Sequence, residues 1–358
     1  MKIIFVLPNL SAGGAERVVS ILSRKFVERG ISVAILLLID NKIQYKIFEQ
    51  VEIVELCTAG MSVLQRVKKI RDYLKIEKKQ NNIILVPFQD SCLKNVLAAS
   101  FMLHIPVIAC ERNNPYRKGN GVFGKIKAEI PFIIAKHCIF QTPDARAYYK
   151  LLPDRKCDVI INPISPAAKK WQHVYDANKL VMVGRLHSQK NYTMLIDAIT
   201  IVKNTIPSVC VHVYGEGALL EMLRDYADRK GAANAIVFEG RSDDIQGILS
   251  QSSIFLLSSD FEGLSNAMLE AMSVGMPVIC TDCPIGGAKM MLSDNAGVLT
   301  PVGDPESFAK EIVSLLSDHD RMDKLGKSAM KKTIEFSEDS VADCWEKVFF
   351  MIKNKGGR

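Results

Sequence analysis

No apolar run in these 358 residues reaches the roughly 18–20 that a membrane-spanning helix needs, so the sequence predicts no transmembrane segment. The first apolar stretch, residues 3–7, stops at Pro8; it is too short for the core of a secretory signal and reads as a buried strand. Aromatic residues are sparse, at 7% with two tryptophans, and no recognition motif accompanies them, which sets nucleic acid aside as a partner. No short-period repeat or low-complexity tract is present, which excludes fibrous architectures. The nine cysteines are an odd number, and Cys110, Cys138 and Cys210 lie inside apolar segments, the pattern of buried free thiols in a reducing cytoplasm. With 48% hydrophobic and 24% charged residues the chain is globular, and its length predicts two domains.

Charge separates the two halves. Residues 1–163 hold 25 Lys and Arg against 14 Asp and Glu, a net of +11, whereas residues 164–358 hold 21 against 25, a net of −4. A basic N-terminal half predicts an anionic partner on that side, with a merely solvated lysine-rich surface as the alternative. The densest stretch is 66–79, where Val67, Ile70 and Leu74 form a narrow apolar stripe under a basic face. That pattern fits a helix packed on a sheet, and equally one lying near acidic lipid headgroups.

Short apolar runs alternate with amphipathic segments along the whole chain. Strands are predicted at 2–7, 32–39, 83–87, 106–109, 137–141 and 158–161, then in a second series at 180–183, 209–214, 236–238, 254–257 and 277–280. Helical patterns at 15–29, 193–205, 218–230, 244–252, 265–273 and 305–317 fall between them. Such alternation produces doubly wound parallel sheets, and two series of this length predict two Rossmann-like domains. Asn162-Pro163-Ile164-Ser165-Pro166 marks the seam, giving domains at 1–163 and 164–340. A final helix over 341–353 carries Val341, Cys344, Trp345 and Val348 on one side; it packs on its own domain or crosses back to the first. The terminal Gly356-Gly357-Arg358 is predicted to fray.

Several strand ends carry residues suited to an anionic, hydroxyl-rich ligand. Gly13-Gly14 lies between the first strand and its helix, where a backbone without side chains lets a ligand approach; a tight turn alone is the alternative. The spacing is not G-x-G-x-x-G, and no acidic residue follows the second strand where an NAD ribose would want one. Arg185 and Lys190 follow the strand at 180–183, a forked guanidinium and a point charge that together suit a diphosphate. Tyr214-Gly215-Glu216-Gly217 supplies another strand-to-glycine turn. The stretch from Ser258 to Met272 joins a strand to a helix, with Glu262 in the loop and Glu270 about two turns into the helix. Both carboxylates can accept hydrogen bonds from sugar or ribose hydroxyls, while Gly263 allows close approach and free N–H groups near Ser265 and Asn266 can meet an anion.

Taken together, Gly13-Gly14-Ala15-Glu16-Arg17, Asn162-Pro163, Gly184-Arg185-Leu186 with Lys190, Glu262-x7-Glu270 and Ser273-Val274-Gly275-Met276-Pro277-Val278-Ile279 resemble the retaining GT-B glycosyltransferases of family 4. The resemblance extends over nearly the whole chain. It implies a GT-B fold, two Rossmann-like doubly wound parallel-sheet domains facing across a cleft, the N-terminal one binding acceptor and the C-terminal one binding nucleotide sugar. It further implies that Arg185 and Lys190 hold the donor diphosphate and offset its growing charge. Glu262, with the backbone of Gly263, Leu264 and Ser265, would orient the transferred sugar. Glu270 would bind the ribose, and Gly13 and Gly14 would close over the diphosphate and acceptor. Arg185, Lys190 and Glu262 are the catalytic set in this reading. A hexose or N-acetylhexosamine would move with retention from a nucleotide sugar, UDP-linked in preference to GDP-linked, through an oxocarbenium-like state in which the leaving diphosphate helps remove the acceptor proton.

Two places depart from the family pattern. Ile285-Gly286-Gly287-Ala288-Lys289 stands where many relatives have Gly-Pro-x-Glu, which makes Lys289 an extra donor-side candidate and resembles the subset acting on surface-polysaccharide and lipid-linked oligosaccharide precursors. Glu111-Arg112-Asn113-Asn114-Pro115 stands where some relatives have an acceptor-side His; Glu111, Arg112 and Asn113 are the acceptor-side candidates, with a capped loop before Pro115 as the alternative. His104 reads as structural. Asp318-His319-Asp320 has D-x-D spacing but reads as a solvated helix end, and Cys280-Thr281-Asp282-Cys283 has no second pair to make a zinc site. The expected partners are a nucleotide-sugar donor, as co-substrate, and a glycan or polyprenyl-linked acceptor, with peripheral contact to an acidic membrane surface at the cytoplasmic face. No cofactor and no metal are expected. A sugar-nucleotide epimerase or NAD-dependent oxidoreductase, and a non-catalytic nucleotide-sugar-binding partner, remain as alternatives.

Overall fold

Strands whose residues are apolar at nearly every position have both faces covered, and the sheets here are built from them. A computed structural model describes every residue except 12, 40–42, 45, 57, 59, 118–120 and 356–358. The fraying expected at 356–358 therefore falls outside the described residues. The chain divides into two compact units, one of residues 1–163 with 338–358 and one of residues 164–337.

In the first unit, β1 (Lys2–Leu7) is flanked by β2 (Ser32–Leu37) and β4 (Ile83–Pro87), and β3 (Glu52–Glu55) pairs with β2. A second ribbon runs β5 (Ile108–Glu111), β6 (His137–Phe140), β7 (Cys157–Val159), and a bridge from Leu85 to Val107 links the two sheets. All six residues of β1 and all five of β4 are buried. The helix Gly14–Glu28 lays Val18, Val19, Leu22 and Phe26 against the sheet.

The C-terminal helix Glu338–Lys355 belongs to this first unit. Trp345 and Phe349 enter an aromatic cluster, with ring centroids 6.4 Å from Phe5 to Trp345, 6.1 Å from Phe88 to Trp345 and 5.3 Å from Phe26 to Phe349. Arg29 ties the same helix down through Asp343 at 2.6 Å, Asp339 at 2.9 Å and Glu346 at 2.9 Å. Cys344, expected on the packed side, is exposed: the buried face is Val341, Ala342, Trp345, Val348, Phe349 and Ile352, and residue 344 is turned away from it. The helix and tail after Ser337 carry four acidic and four basic residues, so the first unit keeps its net charge of +11.

In the second unit, β8 (Leu180–Val183), β9 (Val211–Tyr214), β10 (Ile236–Gly240), β11 (Phe255–Leu257), β12 (Val278–Thr281) and β13 (Val298–Thr300) form one sheet in the order β10-β9-β8-β11-β12-β13. Every pairing is parallel. This is the doubly wound order whose direction reverses between its first and fourth strands, here β8 and β11, and ligands bind in the crevice beyond the carboxyl ends of those strands. The edge strands β3 and β13 were not among the strands predicted from sequence, and β5 begins later than predicted.

Candidate active site

The loops after β8 and β11 flank the reversal point of the second sheet, and the two are fastened together by polar contacts. Gly184 N–H donates to Tyr214 O at 2.9 Å and Leu186 N–H to Glu216 O at 2.9 Å, so the loop after β8 lies backbone-on-backbone against the loop after β9. A Cβ at Gly215 would fall 1.9 Å from Gly184 O, which explains the glycine there. Leu186 is buried, and Arg185 projects outward, exposed, with its guanidinium unpaired among the described residues.

Lys190 and Glu262 meet inside this crevice. Lys190 Nζ lies 2.6 Å from Glu262 Oε1, with the two side chains only 14% and 11% exposed. Burying such a pair is costly unless the remaining lone pairs are satisfied. Ser259 Oγ donates to Glu262 Oε1 at 2.9 Å and Gln189 Nε2 to Oε2 at 3.2 Å. The frame around the pair is equally explicit. Asn191, at φ +43°, caps the helix Tyr192–Thr205 by accepting from Met194 N–H at 3.1 Å, and its Nδ2 donates to Asp260 Oδ1 at 2.6 Å. Ser258 Oγ donates to Lys190 O at 2.8 Å, and Tyr192 OH donates to Gly184 O at 2.8 Å. Gln189 and Asn191 were not singled out from sequence, and Ser258 and Ser259 opened the informative stretch there without a role; an Asn before a helical run and a Ser-Ser pair after a buried strand were the available signals.

The segment after Glu262 is packed rather than open. Ser265 caps the helix Asn266–Val274, its Oγ accepting from Met268 N–H at 3.4 Å, so part of the donor set expected near Ser265 and Asn266 is already satisfied by that side chain. Gly287 N–H donates to Gly263 O at 2.6 Å, and a Cβ at Gly287 would stand 2.1 Å from Leu264 Cδ1. The Gly286-Gly287 departure thus seats the loop that carries Glu262, while Lys289 is exposed on the short helix Gly287–Met291. Glu270 lies in the same Asn266–Val274 helix as a buried carboxyl. The second unit therefore brings Lys190 and Glu262 into contact and holds Arg185, Gly263, Leu264, Ser265 and Glu270 on the segments around them.

The first unit places its own candidates at strand ends. Gly13 is the N-cap of the helix Gly14–Glu28, and a Cβ there would lie 2.1 Å from Glu16 Oε2, so the carboxylate of Glu16 folds over Gly13 while Gly14 is exposed. Gln89, after β4, donates to Glu16 Oε1 at 2.9 Å. Glu111 ends β5 and is 1% exposed; it accepts from Tyr149 OH and from Asn113 N–H at 3.1 Å. Burial pushes its carboxyl up to about 7, against the opposing pull of those hydrogen bonds and of Arg112. Asn113 Oδ1 accepts from Asn114 N–H at 2.8 Å and Asn114 Oδ1 from Tyr116 N–H at 2.9 Å, which is the capped loop weighed from sequence. The Arg112 guanidinium lies 4.1 Å from the Phe88 ring centroid and 5.6 Å from that of Trp345, and its Nε and Nη2 are buried with no partner among the described residues. Asn113 is the exposed member of the three.

Neither metal-like motif gathers ligands. Asp318 caps the helix His319–Ile334, accepting from Arg321 N–H at 2.9 Å, and Cys280 and Cys283 are buried thiols, the latter pushed up to about 12 by burial. Among the described residues, no three His, Cys, Asp or Glu side chains come together as a metal site.

Residues 177–318 match the family model described as glycosyl transferases group 1. Over that stretch the chain is similar to the group 1 glycosyltransferases. A Campylobacter jejuni protein named GalNAc-alpha-(1->4)-GalNAc-alpha-(1->3)-diNAcBac-PP-undecaprenol alpha-1,4-N-acetyl-D-galactosaminyltransferase is 24% identical to this glycosyltransferase over 364 residues, covering 99% of each chain. EpsD of Bacillus subtilis is 29% identical over 180 residues, 50% of this chain and 47% of EpsD, so the match spans about half of that relative. Among solved structures, Anabaena Alr3699/HepE in complex with UDP and glucose superposes with a TM-score of 0.81 at 18% identity, over 98% of this chain and 99% of that one. The lipopolysaccharide outer core galactosyltransferase WaaB, apo form, gives 0.76 at 17% identity over 98% and 99%. With two Rossmann-like units and these likenesses, the glycosyltransferase has the GT-B fold.

Proposed function

We propose that this glycosyltransferase moves a hexose or N-acetylhexosamine, with retention and without a metal ion, from a UDP-sugar to a polyprenyl-diphosphate-linked or surface glycan. The observation that carries the reading is the Lys190–Glu262 pair at 2.6 Å at the reversal point of a parallel sheet, with the exposed guanidinium of Arg185, unpaired among the described residues, on the same loop after β8 as Lys190. In this scheme Arg185 grips the donor diphosphate as a fork. Lys190, which has three donors and uses one on Glu262, adds a second cation as negative charge builds on the leaving group. Glu262 and the backbone from Gly263 to Ser265 orient the sugar, and Glu270 takes the ribose hydroxyls; within the first unit, Gly13 and Gly14 are the donor-side candidates and Asn113 an acceptor-side one. Glu111 and Arg112 support the acceptor side from beneath, as positioning residues.

Support for the donor comes from HepE, solved with UDP and glucose, and for the acceptor from the two Campylobacter jejuni relatives whose names specify undecaprenol-linked diphosphate glycans, the second 26% identical over 90% of this chain. We place the protein at the cytoplasmic face of the membrane, held peripherally. No helix among the described residues is long and apolar enough to cross a membrane, while the first unit carries its net +11. The surface assigned to lipid is the helix Gly121–Ile134, not the 66–79 stretch. Ile70 and Leu74 of the latter are buried in the fold, whereas Ile126, Ile130 and Ile133 are more than 40% exposed and stand at i, i+4 and i+7 beside exposed Lys125 and Lys127.

The test is transfer from UDP-hexoses and UDP-N-acetylhexosamines onto lipid-linked acceptors, with EDTA present, and NMR assignment of the new anomeric centre. Retention, metal independence and loss of transfer in Arg185→Ala and Glu262→Ala are expected. Near wild-type transfer by either variant, or an inverted product, overturns the assignment.

A further inference from the structure

One cavity of the second unit, of about 680 Å³, takes in none of Arg185, Lys190 and Glu262. It opens at the carboxyl ends of β11, β12 and β13, and its walls include Asp260, Asp282, Pro284, Thr300, Pro301 and Val302. The strand ends that form it are pinned: Asp282 N–H donates to Thr300 O at 2.7 Å and Thr281 Oγ1 to Ser259 O at 2.5 Å. It adjoins the donor site through Gln189, Asn191 and Ser259. Gln189 O accepts from Asp260 N–H at 3.0 Å, while Gln189 Nε2 donates to Glu262 Oε2 at 3.2 Å.

The chemistry of the walls is specific. Asp282 is exposed and its carboxylate is unpaired among the described residues, and Asp260 has one oxygen held by Asn191. Thr300 is 3% exposed, and its Oγ1 has no partner among the described residues. A buried hydroxyl left without a partner is costly, which points to a group that completes it. Carboxylates accept in pairs from vicinal hydroxyls, and Pro284, Pro301 and Val302 offer aliphatic surface to the C–H face of a ring. The volume falls within the range of small-ligand sites, about 300–1,000 Å³. Two negative charges with no cation among the wall residues repel phosphates and uronates.

We propose that this cavity is a carbohydrate subsite that holds one neutral pyranose ring of the acceptor glycan next to the donor site. The assignment rests on the glycosyltransferase reading above, and the two can fail separately. Saturation-transfer NMR on the intact protein with methyl glycosides of galactose, N-acetylglucosamine, N-acetylgalactosamine and glucuronic acid tests it, alongside calorimetric titration with UDP. At least one neutral glycoside is expected to bind and glucuronide not to. Val302→Trp, which fills the cavity, and Asp282→Asn, at an exposed position that leaves the fold untouched, should each weaken sugar binding roughly tenfold with UDP affinity unchanged. No binding by any neutral glycoside, equal binding of glucuronide, or binding unaltered in both variants overturns the subsite. Failure of UDP to bind the wild-type protein would instead overturn the donor reading.

Discussion

Glu262 in the second unit and Glu111 in the first both stand at the carboxyl edge of a parallel sheet, and both are buried, yet their surroundings differ in kind. Glu262 meets an ammonium at 2.6 Å, a hydroxyl and a side-chain amide. Glu111 meets a phenol and a backbone N–H, and its carboxyl is raised to about 7. The second unit thus keeps fixed opposite charges where a sheet reverses direction. In the first, the buried carboxyl at the end of β5 has a phenol and the backbone for partners, and burial opposes its ionisation. One scaffold, used twice, supports a charged site in one copy and a near-neutral support in the other; the difference lies in the loop residues and not in the strands.

The sharpest way to break this contrast is to remove one partner of the pair. Lys190→Ala or Glu262→Ala should lower transfer by roughly a hundred- to a thousand-fold, the scale seen when one preorganised charge is removed from a developing anion. Each should also cost about 3–5 kcal/mol of stability, because the partner is left buried without its counter-charge. Urea unfolding of both single variants and the double variant checks this: the double should cost less than the sum of the singles. In the first unit the corresponding weight lies in packing. Trp345→Ala should cost about 3–5 kcal/mol of stability by the same unfolding measurement, since the indole is fully buried between Phe5, Phe88 and Phe349.

Glu111 sharpens the comparison through pH. Its folded pKa lies above the unfolded value, so the folded state binds the proton more tightly. The stability it contributes is complete below about pH 4.5, falls as pH rises, and is lost above about 7, a change of roughly 3 kcal/mol at 1.36 per pKa unit. Glu111→Gln should therefore match the wild type near pH 4.5 and be the more stable of the two at pH 8. Unfolding curves at the two pH values read this directly, and an equal or reversed gap at pH 8 would show that the carboxyl is ionised without penalty.

Much of this was legible in residues and some was not. β1, β4 and β8 could be read to the residue because each holds an apolar run that a stop ends: Pro8 after β1, Pro87 as the last residue of β4 and Gly184 after β8. β3 and β13 could not, being short edge strands of mixed character, Glu52-Ile53-Val54-Glu55 and Val298-Leu299-Thr300, that acquire their place only by pairing with β2 and β12. Arg185, Lys190 and Glu262 stood out because charge after an apolar strand is conspicuous. The residues that hold them, Gln189, Asn191, Ser258 and Ser259, are ordinary loop residues whose role exists only once two loops distant in sequence are side by side. The C-terminal helix shows the same limit: its stripe was visible, but its partner was not, because the contacts to Phe5, Phe26 and Arg29 join residues more than 300 positions apart.

The smallest expected effect concerns the surface that separates the units most clearly, the exposed isoleucines of Gly121–Ile134. If charge alone drew the first unit to lipid, the basic 66–79 stretch would dominate and any one isoleucine would be dispensable. If insertion contributes, Ile130 at 46% exposure has further apolar area to lose to the acyl boundary, on the order of 1 kcal/mol, and a glutamate there adds repulsion from anionic headgroups. Ile130→Glu should therefore weaken co-sedimentation with vesicles of mixed neutral and anionic phospholipid by about tenfold, while Lys79→Glu, on the other helix, should change it by no more than a few-fold. UDP binding should be the same in both. Equal losses in the two variants would mean that the +11 acts as a diffuse field, and the helix would then have no privileged part in the contact.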